Sequence, residues 1–268
     1  MSYQLLALDL DGTILDRTMV LDPSLRDALR LAAVRGLQVT LATGRMPPGS
    51  RRYWEELAIT VPVILYNGAL VRDPATGADL LDDALPAGLA GRTYSVYANA
   101  PVHPLFFSGD TLYCLERTQV IARYCADQGL EPEEIGHQEA FLGEASFTKC
   151  LFIGHPDVLP ILHADLEETV GTARLVLSRP DYLELLPANA SKGRALAWVA
   201  QHLGVALERT IAVGDQENDV EMIRAAGVGV AMPHAPERVR AVADRVAPLP
   251  EAGGLLALFA ELSPEHFG

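Results

Sequence analysis

The chain has 268 residues and 49% of them are hydrophobic, so it is long enough to bury a core in one large domain or two smaller ones. Its formal net charge of -14 argues against a nucleic-acid-binding protein and against binding to anionic membranes, because both need a basic face. The chain does not open on a basic segment followed by an apolar stretch, and no apolar run approaches the roughly 18 residues of a membrane span. Its three cysteines are dispersed, so we expect a cytoplasmic protein with reduced thiols.

The first 84 residues alternate between predicted strands and helices. A buried apolar strand over 5–8 runs into "DLDGT", and a helix begins at Asp22-Pro23 and ends at Gly36. "LQVTLATGR" is predicted as a second strand and turn, 47–57 as a helix, and "VPVILYNGAL" as a third strand and turn. Repeated strand–helix–strand units predict a parallel sheet that is covered by helices on both faces.

The pattern changes after residue 84. "HPLFFSGDTLYCLE" is predicted as a hairpin around Gly109-Asp110, and a helix over 118–128 follows it. The strand "SFTKCLFIG", a helix near 158–169 and two strands in "ARLVLSRPDYLELL" complete a segment of α+β character.

The parallel pattern resumes after Pro187. A helix begins at Ser191, and the segments "RTIAVGD" and "VGVAM" are predicted as buried strands. We therefore predict an α/β core formed by 1–84 and 187–268, with an inserted α+β domain at 85–186.

Two carboxylates, Asp9 and Asp11, end the first predicted strand. Side chains two residues apart lean to the same face of an extended chain, and two unit charges about 5 Å apart repel by roughly 3 kcal/mol at an effective dielectric of about 20. A fold keeps such a pair for a cation, a shared proton or a reaction that uses both. The alternative is a pair of solvated turn residues, because Asp and Gly are common in turns.

Three further polar segments are predicted to lie near these carboxylates, because ligands of open α/β sheets bind outside the carboxyl ends of the strands. They are Thr43-Gly44 after the second strand, Asp215 with Asn218 and Asp219 after "TIAVG", and Ser191-Lys192-Gly193 at a helix N-terminus. Carboxylates from separate segments suit Mg²⁺, which would offset the repulsion between Asp9 and Asp11. A helix N-terminus with a lysine suits an anion such as phosphate.

These segments resemble, in order and spacing, the four motifs of the haloacid dehalogenase-like superfamily of phosphotransferases: "DLDGT", "ATGR", "SKG" and "GDQEND". The insertion resembles the cap of the Cof-type, or type IIB, phosphatases. Over nearly the whole chain, the resemblance implies a Rossmann-like parallel-sheet core with an inserted α+β cap. It also implies a Mg²⁺-dependent phosphatase of small phosphorylated metabolites, with the choice between monomer and homodimer left open.

The resemblance also implies a role for each motif residue. Asp9 would be the nucleophile that forms an aspartyl-phosphate, and Asp11 would act as general acid and then as general base. Mg²⁺ would be held by Asp9, by the backbone carbonyl of Asp11 and by Asp215, while Asp219 would orient Lys192 or a metal-bound water. The phosphoryl group would be held by the backbone amides of Leu10 and Gly44, the Thr43 hydroxyl, Lys192 and Asn218.

Two positions depart from the family pattern. Residue 216 is Gln, where such enzymes commonly carry Asn or Ser, and residue 234 is His, where Asn is frequent. Two further residues have open roles. Arg45 either reaches the phosphate or forms a salt bridge, and Asn67 either faces the substrate or serves the Asn-Gly turn.

Lysine is rare in this chain, because 19 of its 21 basic residues are Arg. Lys149 is one of the two exceptions and lies in a predicted strand of the insertion, among apolar residues. A position that keeps Lys indicates a need for a compact point charge, so we expect Lys149 to contact the substrate. The alternative is that its apolar stem packs while its amine reaches water.

Two other functions use the same motifs. A phosphomutase or phosphotransferase would form the same phosphoenzyme and pass the group to a sugar hydroxyl. A signalling receiver also phosphorylates an Asp on an α/β sheet, but a carboxylate at position 11 and an inserted domain argue against it.

Overall fold

The computed structural model describes residues 2–16, 18–250 and 253–268. Its strands are β1 (Leu5–Leu8), β2 (Gln38–Leu41), β3 (Val63–Leu65), β4 (Leu70–Arg72), β5 (Asp79–Asp82), β6 (Val102–Ser108), β7 (Thr111–Cys114), β8 (Glu133–Glu134), β9 (Lys149–Gly154), β10 (Arg174–Arg179), β11 (Tyr182–Leu186), β12 (Thr210–Gly214), β13 (Val228–Ala231) and β14 (Arg245–Val246). Its α-helices are α1 (Pro23–Val34), α2 (Pro47–Glu56), α3 (Leu89–Tyr97), α4 (Gln119–Gln128), α5 (Glu139–Glu144), α6 (Leu159–Val170), α7 (Lys192–His202), α8 (Val220–Ala225), α9 (Glu237–Arg240), α10 (Gly254–Leu262) and α11 (Pro264–Phe267). Within these ranges, none of the helices has the length and apolar character that crossing a membrane requires.

The described residues form two compact units. The first unit comprises the described parts of Met1–Arg45, Ser50–Leu81 and Ser191–Gly268, and the second comprises Met46–Gly49 and Asp82–Ala190. The boundaries at residues 84 and 187 stay a prediction from the sequence pattern.

A five-stranded parallel sheet forms the centre of the first unit, in the order β14-β13-β12-β1-β2. All four residues of β1 are fully buried, which explains why this strand is a continuous apolar run and does not alternate. Leu8 lies opposite Val213 on one side and Leu41 on the other. The segments that follow these three strands therefore leave the sheet at the same edge.

The repeated strand–helix–strand pattern predicts that the third strand belongs to this parallel sheet, but the structure places the strand in another sheet. β3 pairs antiparallel with β4, and β4 with β5 completes a separate three-stranded sheet. The chain reverses at Tyr66–Gly68, where all three residues have positive φ angles of 50°, 56° and 90°. A parallel bridge between Ala42 and Ile64 joins β3 to the segment after β2. The turn was predicted, but the strands that follow it were not.

The second unit has a six-stranded sheet in the order β10-β11-β9-β6-β7-β8. The predicted hairpin is confirmed, because β6 and β7 pair antiparallel around Gly109, whose φ is +54°. Helices α3 and α6 pack against one face, where Phe106, Phe152 and Leu183 are fully buried. The predicted α/β fold, with a parallel sheet and an additional unit of α+β character, is confirmed.

Two helices of the second unit, α3 and α5, were not predicted from the sequence. α3 contains Gly91 among aromatic and β-branched residues, all of which weaken helix propensity. A Cβ atom on Gly91 would lie 2.8 Å from the Cα of Gly143 in α5. Close packing of the two helices therefore requires this glycine, and tertiary contacts stabilise a helix that local propensity disfavours.

Candidate active site

The site is built where the central strands of the first unit end. Asp9 follows β1 directly, and its backbone N–H donates to the carbonyl of Val213 at 3.0 Å. Asp215 follows β12 directly, and Thr43 lies two residues after β2. Parallel pairing brings these three segments to one edge of the sheet, as the sequence pattern predicted.

Lys192 connects two of the carboxylates. Its Nζ lies 2.6 Å from Oδ1 of Asp9 and 2.6 Å from Oδ1 of Asp219, and its side chain is 1% exposed. The lysine is the first residue of α7, whose N-cap Ser191 accepts from the N–H of Arg194. Helix α7 therefore delivers an ammonium group into a buried carboxylate pair.

Asp219 is fully engaged by the protein. One oxygen accepts from Lys192, and the other accepts from the backbone N–H groups of Asp215 and Gln216 at 2.9 and 3.0 Å. A Cβ atom on Gly214 would lie 2.4 Å from the carboxyl carbon of Asp219, so this approach requires glycine. Asp219 is thus placed to hold Lys192 and the start of the Asp215 loop.

The electrostatics of this cluster follow from its burial. Desolvation raises the pKa of Asp9 well above its ordinary value; Lys192 opposes the shift, while Asp219 and Asp215 increase it. Burial and Asp219 also raise the pKa of Asp215. Burial lowers the pKa of Lys192, but Asp219 and Asp9 more than offset this, so the net shift is upward. Three carboxylates around one ammonium group carry excess negative charge, which a divalent cation would offset.

The residues present fit such a cation. Oxygen atoms of Asp9, Asp215 and Asp219 all lie within 4.8 Å of one another, and hard cations prefer oxygen ligands. Gly12 lies against Asp215 with a φ of +86°, and a Cβ atom there would approach Oδ2 of Asp215 to 2.5 Å. Each of the three carboxylates can therefore offer one oxygen to a metal ion.

Asp11 has a different cation from Asp9. Its carboxylate is 41% exposed and accepts from Arg45, with 2.7 Å between Nε and Oδ2 and a second contact between Nη2 and Oδ1. Arg45 is buried, and its guanidinium lies over the Tyr53 ring at 5.2 Å. Of the two roles predicted for Arg45, the structure shows the salt bridge. The repulsion between Asp9 and Asp11 is thus offset by two separate protein cations before any metal is considered.

The remaining predicted phosphate-binding residues surround Gly44. The Thr43 hydroxyl accepts from the N–H of Arg45 at 3.2 Å, and a Cβ atom on Gly44 would lie 2.9 Å from Oδ1 of Asn67. That oxygen accepts from the side-chain amide of Asn218 at 2.8 Å. The structure therefore brings Gly44, Asn67 and Asn218 together. Leu10 is fully buried in the turn that follows Asp9.

A family model described as haloacid dehalogenase-like hydrolase matches residues 6–259 of the chain. The chain belongs to this family. The matched range contains all four motifs, and together with the phosphatase relatives and the subclass IIB structure described next it confirms the sequence-based assignment to Cof-type phosphatases.

Several curated proteins resemble this Cof-type phosphatase along most of its length. YxeH of Bacillus subtilis is 33% identical over 87% of this chain and 88% of that protein. An HMP-PP phosphatase of Shigella flexneri is 31% identical over 89% of this chain and 87% of that protein. The pyridoxal phosphate phosphatase YbhA of Escherichia coli is 29% identical, with 92% and 93% covered.

Solved structures show the same fold as this Cof-type phosphatase. A haloacid dehalogenase-like hydrolase from Bacteroides thetaiotaomicron superposes with a TM-score of 0.88 at 24% identity, covering 97% of this chain and all of that one. The subclass IIB sugar phosphatase BT4131 gives a TM-score of 0.83 at 20% identity, covering 96% and 98%. The confirmed fold is therefore a Rossmann-like core with a cap.

Two residues at the candidate active site of this phosphatase were not predicted from the sequence. The Thr13 hydroxyl donates to Oδ1 of Asp215 at 3.3 Å, and Tyr53 packs beneath Arg45. Thr13 belongs to the "DLDGT" motif, so its place beside the carboxylates was a usable signal. Nothing in the local sequence indicates Tyr53, because its contact depends on how α2 packs.

Lys149 lies in β9 of the second unit of this phosphatase, with only 3% of its side chain exposed. Its Nζ is 3.4 Å from Oε2 of Glu184 and 4.6 Å from the centre of the Phe107 ring. Ser178 donates to the other oxygen of Glu184 at 2.6 Å. The amine is thus buried in an ion pair and does not reach water, and its contact with a substrate stays a prediction.

Lys149→Met is expected to lower the free energy of unfolding by about 3–5 kcal/mol, because Glu184 would stay buried without its cation. The double variant Lys149→Met/Glu184→Leu should recover most of this loss. Chemical denaturation measures both. Kinetics test separately whether Lys149 contacts the substrate. Such a contact predicts that Lys149→Met lowers kcat/KM roughly tenfold for the true substrate and changes it little for a small artificial one. Unchanged stability in the single variant would contradict the buried ion pair.

Proposed function

We propose that this phosphatase hydrolyses small phosphorylated metabolites in the cytoplasm, with Mg²⁺, through an aspartyl-phosphate on Asp9. The observation that carries the proposal is the placement of Asp9, which is buried at the end of β1 with Lys192 on one oxygen and Asp215 beside it. Two relatives support the substrate class, since they are named for HMP-PP and pyridoxal phosphate.

In the first step, a carboxylate oxygen of Asp9 attacks phosphorus, and the bond between phosphorus and the substrate oxygen breaks. Asp11 gives a proton to the departing alkoxide, so that the first product leaves as an alcohol. Lys192 neutralises part of the charge on the phosphoryl group. Hydrogen bonds to the phosphoryl oxygens come from four further donors, which are the backbone amides of Leu10 and Gly44, the Thr43 hydroxyl and the side-chain amide of Asn218.

In the second step, Asp11 takes a proton from a water molecule, whose oxygen attacks phosphorus and releases Asp9 with inorganic phosphate. The carboxylate of Asp11 is partly exposed, so each proton would be transferred at an oxygen that also accepts from Arg45. Asp9, Asp215 and the backbone carbonyl of Asp11 would hold Mg²⁺. When bound, Mg²⁺ offsets the charge of these carboxylates and of the phosphoryl oxygens.

Asp11→Asn is expected to lower kcat by about 10²–10⁴-fold, because the variant has no group that can give or take the proton. Metal affinity should stay near that of the wild type, since the proposed ligand at this position is the backbone carbonyl. The amide oxygen of Asn still accepts from Arg45, so the thermal midpoint serves as a control for folding. Mg²⁺ titrations of Asp11→Asn and Asp215→Asn test the assignment, and equal losses of affinity would contradict it.

The proposed function is tested with a panel of sugar phosphates, nucleotides and phosphorylated cofactors, including pyridoxal phosphate, with and without Mg²⁺. We expect Mg²⁺-dependent release of inorganic phosphate from at least one class. Transfer to an added sugar hydroxyl in place of water would indicate a phosphotransferase. A phosphoenzyme that survives for minutes, with no turnover, would indicate a receiver and overturn the proposal.

A further inference from the structure

The two residues that depart from the family pattern converge on one atom. Nε2 of Gln216 donates to Oδ2 of Asp215 at 2.8 Å, and Nε2 of His234 lies 3.3 Å from the same oxygen. The other oxygen of Asp215 accepts from Thr13 at 3.3 Å. A carboxylate oxygen can only accept, so the His234 ring donates here in the tautomer that carries its proton on Nε2. One oxygen of Asp215 thus has two nitrogen donors from separate loops.

Both donors are themselves held in place. The side chain of Gln216 accepts from the N–H of Asp219, while the carboxylate of Asp219 accepts from the backbone N–H of Gln216. The amide of Gln216 is therefore engaged at both of its ends, and Gln is long enough for this double role. Its conformation is tied to Asp219, which also binds Lys192.

His234 is positioned by the pairing of the sheet. The N–H of Met232 donates to the carbonyl of Gly214 at 3.0 Å, which continues the register of β13 against β12. A turn closed by the N–H of Ala235 on the carbonyl of Met232 then carries the imidazole across to Asp215. The ring is about half exposed, and its Nε2 contact with Asp215 helps to hold it in this place.

We propose that Gln216 and His234 act together as positioning residues that hold the carboxylate of Asp215 in one orientation for a divalent cation. The inference rests on the proposed metal-dependent function. Rotation about the bond that carries the carboxylate exchanges its two oxygens, and two donors on Oδ2 oppose that rotation. Oδ1 accepts one hydrogen bond, from Thr13, and its second lone pair then serves the cation. Hydrogen bonds to a ligating carboxylate commonly change metal affinity by 10- to 100-fold.

Binding of Mn²⁺, followed by electron paramagnetic resonance, tests this inference without turnover. Gln216→Met and His234→Leu keep side-chain bulk and remove the donor, and each should raise the Kd for Mn²⁺ by roughly tenfold or more. His234→Gln restores an N–H donor and should recover most of the affinity. The exposed His155 provides a matched control, and His155→Leu should bind Mn²⁺ like the wild type.

The outcomes separate this inference from the proposed function. A wild-type protein that does not bind Mn²⁺ would contradict the metal site itself. A wild-type protein that binds Mn²⁺, with folded Gln216→Met and His234→Leu variants that bind equally well, would overturn the positioning role alone. Failure of His234→Gln to recover affinity would also overturn it, because a hydrogen-bond donor at that position would then not suffice. Circular dichroism confirms that each variant is folded.

Discussion

Asp9→Asn is expected to reduce phosphatase activity to below about one per cent of the wild type, because loss of a covalent nucleophile costs several orders of magnitude. The substitution removes the attacking oxygen and one proposed metal ligand together. Steady-state release of inorganic phosphate measures the loss. Rapid quenching with substrate labelled in its phosphoryl group adds a direct test, since label should stay on the wild-type protein and be absent from the variant.

The fold should survive this change. Lys192 keeps its contact with Asp219, and the variant no longer buries the Asp9 charge. Burial raises the pKa of Asp9 in the folded protein above its ordinary value of 3.8. In the metal-free wild type the protonated carboxyl therefore stabilises the fold at low pH, and this stabilisation is lost as the pH rises from the ordinary pKa through the raised one. The variant lacks this loss, so its thermal midpoint at neutral pH should equal or exceed that of the wild type.

A surface substitution provides the control. Asp127 is exposed on α4, and Asp127→Asn should leave turnover and thermal midpoint unchanged. Activity of Asp9→Asn above about one per cent of the wild type would assign the nucleophile elsewhere.

Removal of divalent cations is expected to abolish turnover, and added Mg²⁺ should restore it. The cluster around Lys192 holds three carboxylates, so without a divalent cation an anionic substrate meets excess negative charge. Ca²⁺ should inhibit, because its larger and more flexible coordination shell disturbs the alignment of the attacking oxygen with phosphorus. Activity after treatment with chelator, with Mg²⁺ and with Ca²⁺ measures these effects.

Two observations would contradict the metal-dependent site. Full turnover in buffer freed of metal would show that the carboxylates function without a cation. Turnover with Ca²⁺ equal to that with Mg²⁺ would show that coordination geometry does not limit the reaction. Thermal midpoints measured in parallel distinguish loss of the metal from loss of the fold.

The parts of the fold that could be predicted are those that depend on local sequence patterns. The apolar runs of β1 and β12 predicted buried parallel strands, and the polar residues behind them, Asp9 and Asp215, therefore share one edge. Gly109 predicted the hairpin because a positive φ suits glycine. Each of these signals depends on a few neighbouring residues.

The parts that could not be predicted depend on long-range packing. The pairing of Arg45 with Asp11 joins segments 34 positions apart, and no local signal chooses it over a contact with phosphate. Lys149 meets Glu184 because β9 and β11 are neighbours in the sheet, a register that the strand patterns leave open. In both cases the two charged side chains come into contact only in the folded chain.

The position of β1 between β2 and β12 has a consequence for biosynthesis. One edge of β1 can pair with β2 early, but the other waits for β12, which follows after roughly 200 residues of chain. At translation rates of roughly 5–20 residues per second, this apolar edge stays unpaired for about 10–40 s on the ribosome. Contacts of such high sequence separation also slow folding of the released chain. We therefore expect the nascent protein to depend on chaperones, and fragments that end before β12 to aggregate.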